Sequence, residues 1–251
     1  MPEIYHRCLG GPLFAPMARD LAGRAALCSP SEVLELAAGT GILTRALREQ
    51  LPTAHLTATD LNDAMVIHGQ AGVPDVTWRV CDAQQLDVPD ASVDLVVCQF
   101  GVMFFPDRVQ AYREARRVLR PGGTLLFNVW DRVEHNDLAA ALVNVLADMY
   151  DGPTFLTRVP YGYHDPQLIE ADVRAAGFPT VHLDPVESSG TADSAATFAE
   201  GFGLGGPLRV LLESDGHLET TIADIQKRLT DRLGPGPVTG RLSAIAVTAY
   251  D

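Results

Sequence analysis

Val33-Leu34-Glu35-Leu36-Ala37-Ala38-Gly39-Thr40-Gly41-Ile42-Leu43-Thr44 reads as a strand that runs through a glycine turn into a helix. Val33 to Ala37 is short and mostly apolar, whereas Ile42, Leu43, Ala46 and Leu47 recur at helical spacing to about Gln50, with Pro52 closing the helix. The alternation continues outward. His55–Asp60 is a second strand, Asn62 caps a short helix bearing Met65 and Val66, Val76–Asp82 is a third strand and Val93–Gln99 a fourth. Pro106 stands at a first helical position before the apolar face of Val109, Tyr112, Ala115, Val118 and Leu119. Pro121-Gly122-Gly123 ends that helix ahead of a strand at Thr124–Trp130. Beyond Asp131 the reading is looser: helices near 137–150 and 166–176, a strand near 181–186, a glycine-rich apolar stretch from Phe198 to Leu212, another helix, and a terminal strand at Leu242–Tyr250.

Strands alternating with crossover helices predict an α/β fold, Rossmann-like and doubly wound. We expect a mostly parallel seven-stranded sheet with helices on both faces and an added helical lid. No linker separates modules, so residues 1–251 read as a single domain: 1–28 an N-terminal helical lid segment, 29–131 a cofactor-binding core, and 132–251 acceptor-side helices and final strands. Ligands in such sheets bind beyond the carboxyl ends of the strands. That directs attention to Glu35–Gly41, Asp60, Asp82-Ala83 and Gln99-Phe100.

Composition narrows the partners. The chain has 251 residues, 47% hydrophobic and 20% charged, and its 19 Lys+Arg against 32 Asp+Glu give a net charge of −13. Disordered, collagen-like and coiled-coil classes fall away, and a nucleic-acid partner is disfavoured by the missing basic surplus. Cys8, Cys28, Cys81 and Cys98 form no C-x-x-C pair and suit a reducing cytoplasm. The N-terminus lacks the basic-then-apolar layout of a secretion signal, and no run is long enough to span a membrane.

The glycine turn lets backbone approach a ligand and aims helix N–H groups at it. G-x-G-x-x-T lacks the third glycine of the dinucleotide fingerprint, and Glu35 is a poor neighbour for a pyrophosphate but a suitable one for a cation. An NAD-dependent oxidoreductase is therefore the weaker alternative. Asp60 follows Gly41 at the spacing at which a carboxylate takes both hydroxyls of an adenosine ribose, and Asp82, Ala83 and Gln84 can meet an adenine edge. Taken alone, a strand-ending aspartate can equally cap a turn or helix.

Val33–Thr44, Thr59-Asp60, Cys81-Asp82-Ala83, Val93–Pro106 and Leu119–Thr124 together resemble the ordered motifs of class I S-adenosylmethionine-dependent methyltransferases. The similarity covers roughly residues 30–131 and is greatest to the ubiquinone/menaquinone-biosynthesis-like small-molecule branch. It implies S-adenosyl-L-methionine as cofactor, with S-adenosyl-L-homocysteine as product. Glu35 and the backbone of Ala37, Ala38, Gly39, Thr40 and Gly41 would face its methionine part. Asp60 would take the ribose, Leu61 and Met65 the adenine face, and Asp82, Ala83 and Gln84 the adenine edge. Gln99 and Phe100 would lie near the reactive methyl. Ala37 departs from the family's usual glycine, a mild change unless the backbone there needs positive φ.

A sulfonium is already an activated donor, so methyl transfer asks the protein mainly to align the reactants and exclude water. His135 is the candidate general base, with His164 and His6 behind it. Phe104, Trp130, Tyr163 and Phe202, with Tyr161 and Phe198, are candidate walls of an acceptor pocket. The glycine-rich stretch and residues 1–28 are expected to cover it. DNA amino-methylating enzymes carry a different motif after the fourth strand, and Asp131 alone makes no magnesium site. The expected partner is a small, apolar or aromatic acceptor, with no metal, and the protein a monomer or homodimer. A non-methylating protein that binds the same cofactor is the other alternative.

Overall fold

The computed structural model describes residues 2–150, 155–206, 208–213 and 217–251. Met1 and Pro207, which fall in the N-terminal segment and the glycine-rich stretch, lie outside the described residues.

The chain opens with α1 (Pro2–Tyr5), wider π-type turns over His6–Phe14, and α2 (Ala15–Leu27). Then come β1 (Glu32–Leu36), α3 (Ile42–Gln50), β2 (His55–Asp60), α4 (Asp63–Gly72), β3 (Thr77–Val80), β4 (Val93–Gln99), α5 (Arg108–Val118) and β5 (Leu119–Trp130). The remainder holds α6 (Asp137–Met149), α7 (Phe155–Arg158), α8 (Pro166–Ala175), β6 (Thr180–Ala192), α9 (Ala195–Glu200), π-type turns at Gly201–Gly205, α10 (Leu208–Glu213), α11 (Leu218–Leu233) and β7 (Val238–Tyr250).

The seven strands form one sheet in the order β3-β2-β1-β4-β5-β7-β6. β7 runs antiparallel to both its neighbours, and the pairs from β3 to β5 are parallel. Successive strand residues enter opposite faces. Val33, Leu95, Val97 and Leu126 pack with α2 and α3, whereas Leu34, Leu36, Val96, Cys98, Leu125 and Phe127 join the larger core with α5, α6 and α8. Such two-sided burial is why these strands read as continuous apolar runs.

Four boundaries differ from the sequence reading. Leu119 already pairs with Val93, and the ladder resumes at Leu95–Thr124, so Pro121-Gly122-Gly123 bulges from β5 instead of preceding it. Arg120 precedes a proline and is kept out of the helical region. Asp107, accepting the Gln110 N–H at 2.9 Å, caps α5, which leaves Pro106 just ahead of the cap. β6 runs on to Ala192, and its Pro185 is tolerated because the strand is an edge.

The fourth difference concerns the lid. Of residues 1–28, α2 is a core helix whose Ala18, Leu21, Ala22 and Ala25 pack under the sheet; only Pro2–Phe14 reaches the strand ends. The glycine-rich stretch remains helical, widened to π-type turns, and packs on that same segment. A Cβ on Gly201 would stand 2.7 Å from the side chains of Cys8 and Leu9, and one on Gly205 2.8 Å from the Tyr5 backbone. These glycines permit that close approach.

Candidate functional site

Both glycines of the turn have positive φ, +57° at Gly39 and +80° at Gly41, and Gly41 opens α3. Gly39 has nothing within 4 Å of where a Cβ would stand, and it lines a cavity of about 520 Å³ at the carboxyl ends of β1, β2 and β4. That volume lies within the range of small-ligand and cofactor sites. Ala37, Asp60, Leu61 and Met65 line it, as do Asp82, Ala83, Gln84, Gln99 and Phe100. A smaller cavity of about 40 Å³ continues from it past Glu35, Ala38 and Thr40. The two spaces together bring almost the whole sequence-derived set to one place; Gly41 contributes its backbone turn.

Asp60 is anchored before any ligand arrives. Its Oδ2 accepts the Gly39 N–H at 2.8 Å and its Oδ1 the Asn62 N–H at 2.9 Å, so the carboxylate stands between the glycine turn and α4. Burial raises its pKa, and the two N–H donors oppose that shift. Glu35 is buried and accepts the Thr44 hydroxyl at 2.6 Å. Burial pushes its pKa up to about 8, helped by the Asp60 charge and opposed by Thr44. Asp82 closes its own turn, accepting the Gln84 N–H at 2.8 Å, while Gln84 Oε1 accepts the Asp107 N–H at 2.8 Å. The Asp82 turn is thereby tied to the start of α5.

Two residues at strand ends sit in the left-handed region without being glycine: Ala37 at φ +52° and Phe100 at φ +51°. The condition under which alanine at 37 ceases to be mild is therefore met. The conformation is held by packing, since a Cβ on Gly101 would lie 2.5 Å from that of Ala37. Ala37→Gly should relieve the strain and stabilise the protein by about 1 kcal/mol. A denaturant midpoint that stays or falls would count against strain at this position.

Above the strand ends lies a third cavity, about 60 Å³ and almost wholly apolar, lined by Tyr5, Leu9, Leu13 and Phe14 from the N-terminal segment, by Phe100, Phe104 and Trp130, and by Leu156, Tyr161 and Phe202. Phe100 and Trp130 stack with centroids 3.8 Å apart and planes at 6°. Phe104 also borders the large cavity. Gln99 Nε2 donates to the Phe14 carbonyl at 2.9 Å, fastening the N-terminal segment to the end of β4.

Two expected residues stand elsewhere. Tyr163 is buried between α5 and α8: its hydroxyl donates to Asp172 at 2.9 Å and Arg108 lies 4.2 Å above its ring. Tyr161, two residues earlier, is the one that lines the apolar cavity. His135 is half exposed, with Nδ1 2.7 Å from Asp131 Oδ2, an oxygen that also accepts the Ser243 hydroxyl. It borders none of the three cavities. The sequence reading overlooked Tyr5, Leu9, Leu13 and Phe14, whose spacing carries no motif, and Thr44 as the partner of Glu35. Among the described residues no three His, Cys, Asp or Glu side chains gather as a metal site, and no helix is long and apolar enough to cross a membrane.

Residues 34–127 match the family model described as a methyltransferase domain. The chain is 30% identical over 193 residues to the demethylmenaquinone methyltransferase of Deinococcus radiodurans, covering 71% of this chain and 80% of that one. It is 38% identical over 124 residues to the ubiquinone/menaquinone biosynthesis C-methyltransferase of Caulobacter vibrioides, covering 45% of this chain and 49% of that one, so it spans about half the length of that relative. In fold it is similar to the YcgJ protein of Bacillus subtilis, with a TM-score of 0.59 at 20% identity over 93% of this chain and 97% of that one.

Proposed function

The chain belongs to the class I S-adenosylmethionine-dependent methyltransferases of the ubiquinone/menaquinone-biosynthesis branch, and from that premise we propose that it methylates a small apolar or aromatic metabolite. One observation carries the reading: a cavity of cofactor size, walled by acids at three successive strand ends, adjoins an apolar aromatic cavity.

The donor set fits S-adenosylmethionine. Asp60 keeps lone pairs free on both oxygens for ribose hydroxyls after accepting two N–H groups. Leu61 and Met65 offer apolar surface to a purine, and Asp82 with the Ala83 backbone faces its edge. Glu35 suits an ammonium or sulfonium, because a positive charge beside it favours the carboxylate that burial disfavours. When bound, the cofactor supplies an electrophilic methyl group on sulfur.

The chain's own part is alignment and exclusion of water. Phe100, Trp130, Phe14 and Tyr161 surround the acceptor space, and the tyrosine hydroxyls and the indole N–H are the polar side-chain groups among its lining residues. At about 60 Å³ that space is smaller than the ~150 Å³ that accommodates benzene, so admission of an aromatic acceptor requires Pro2–Phe14 and Gly201–Gly206 to shift outward. The acidic balance of 32 Asp+Glu against 19 Lys+Arg opposes a nucleic-acid acceptor, and four free cysteines support a reducing, cytoplasmic setting. We take the chain as one catalytic domain.

The test is calorimetric binding of S-adenosylmethionine and of NAD, followed by incorporation of labelled methyl into a short-chain demethylnaphthoquinol. Binding of S-adenosylmethionine with incorporation is expected. Binding without incorporation into this or other small acceptors would favour the non-methylating alternative, and NAD binding alone would reverse the reading. In the same assay His135→Ala should keep turnover within about twofold of the parent across pH, since it borders none of the three cavities.

A further inference from the structure

Tyr5 alone among the described side chains borders all three cavities. Its placement is built: the ring stacks on Phe14 with centroids 5.2 Å apart, Gly205 lets the opposing backbone close on it, and the next residue, His6, sets Nδ1 3.1 Å from Thr40 Oγ1 on the cofactor turn. Its hydroxyl has no hydrogen-bond partner among the described residues, although burial and the Asp60 charge raise its pKa far above that of a free phenol. Tyr5 is only partly buried, and its unpaired hydroxyl is left free to donate to a ligand in the spaces its side chain borders. At neutral pH that hydroxyl is a donor and not a base.

The cofactor half already has Glu35, Asp60, Asp82 and Gln99 as polar groups. The acceptor half has, besides Tyr5, only the Tyr161 hydroxyl and the Trp130 indole among its lining side chains. Resting on the methyl-transfer reading, we propose that Tyr5 is a catalytic residue whose hydroxyl donates a hydrogen bond to an oxygen of the acceptor, fixing it at the junction of the two halves. Such a bond favours an acceptor that carries an oxygen over a hydrocarbon of the same shape.

The experiment compares the parent with Tyr5→Phe, each loaded with S-adenosylhomocysteine, for binding of 1-naphthol and of naphthalene. Loss of one neutral hydrogen bond should weaken 1-naphthol about tenfold and leave naphthalene within about twofold. With the demethylnaphthoquinol, kcat should fall about tenfold at both pH 6.5 and pH 8.5, with KM for S-adenosylmethionine unchanged. Equal weakening of both probes, no weakening of either, or no binding of either overturns the role of Tyr5. Failure of the parent to bind S-adenosylhomocysteine sinks the methyltransferase reading and this inference with it. Normal cofactor binding with unaltered naphthol affinity sinks the inference alone.

Discussion

Asp60→Ala is expected to weaken S-adenosylhomocysteine binding by about 100-fold or more, the largest single loss in the cofactor half. Two charge-assisted hydrogen bonds to ribose hydroxyls contribute ~1.5 kcal/mol each, and their sum of ~3 kcal/mol corresponds to about two decades of Kd. The variant also releases the Gly39 and Asn62 N–H groups, which the carboxylate holds at 2.8 and 2.9 Å, so the glycine turn loses its tie to β2. Asp60→Asn separates the contributions: an amide still offers one acceptor, and its loss should fall between those of the parent and the alanine variant. Calorimetry, with a thermal melt to confirm folding, reads both. A loss below about fivefold in Asp60→Ala would remove Asp60 from the ribose role.

The second large effect is a stability that declines with rising pH in the unliganded protein. Glu35 has a folded-state pKa of about 8, raised by burial above that of an unfolded glutamate. The native state therefore keeps a proton that the unfolded chain releases. The stability this gives is complete below the unfolded pKa and is lost as pH climbs toward and through 8. One such group changes stability by about 2 kcal/mol between pH 6.5 and 8.5. Asp60, also raised by burial, acts with the same sign, whereas Asp94, Glu114 and Asp131 are held low by their partners and act only in acid. His6, held below its ordinary value mainly by burial and next by Arg45, opposes the trend only up to about its ordinary pKa. Guanidinium midpoints across that interval should fall for the parent and stay nearly level for Glu35→Gln. Binding of S-adenosylmethionine should reverse the trend, because a cation beside Glu35 favours the carboxylate. Proton release on binding, read in buffers of unequal ionisation enthalpy, is then expected for the parent and reduced in Glu35→Gln. A flat parent profile would show that Glu35 is ionised in the free protein.

The cofactor half was legible because its determinants are local. Glu35, the glycine turn, Asp60 and Asp82 occupy strand ends in a repeating unit, and a parallel sheet gathers its strand ends along one edge, so order along the chain translates into neighbourhood in space. The sign of the ligand followed from Glu35 standing where a pyrophosphate site tolerates no acid.

The apolar cavity proposed for the acceptor was much less legible. Tyr5 and Trp130 are far apart in sequence, and meet because Gly201 and Gly205 let the N-terminal segment approach the turns after α9. Tyr163 and Tyr161 share one short stretch with no helical or strand period; Tyr163 is held by Asp172 and Arg108, and Tyr161 lines the apolar cavity. His135 read as a base from its place after β5, yet it pairs with Asp131 and borders none of the three cavities.

The sequence by itself determined the doubly wound sheet, the cofactor edge and the cationic character of its ligand, since periodicity and strand-end chemistry are properties of neighbouring residues. Only the tertiary structure decided which part of the N-terminus reaches the strand ends, that Ala37 and Phe100 are held at positive φ, and that Tyr5 borders all three cavities. Those outcomes depend on packing between segments far apart in the chain, where a contact is set by shape and close approach and leaves no pattern in either segment alone.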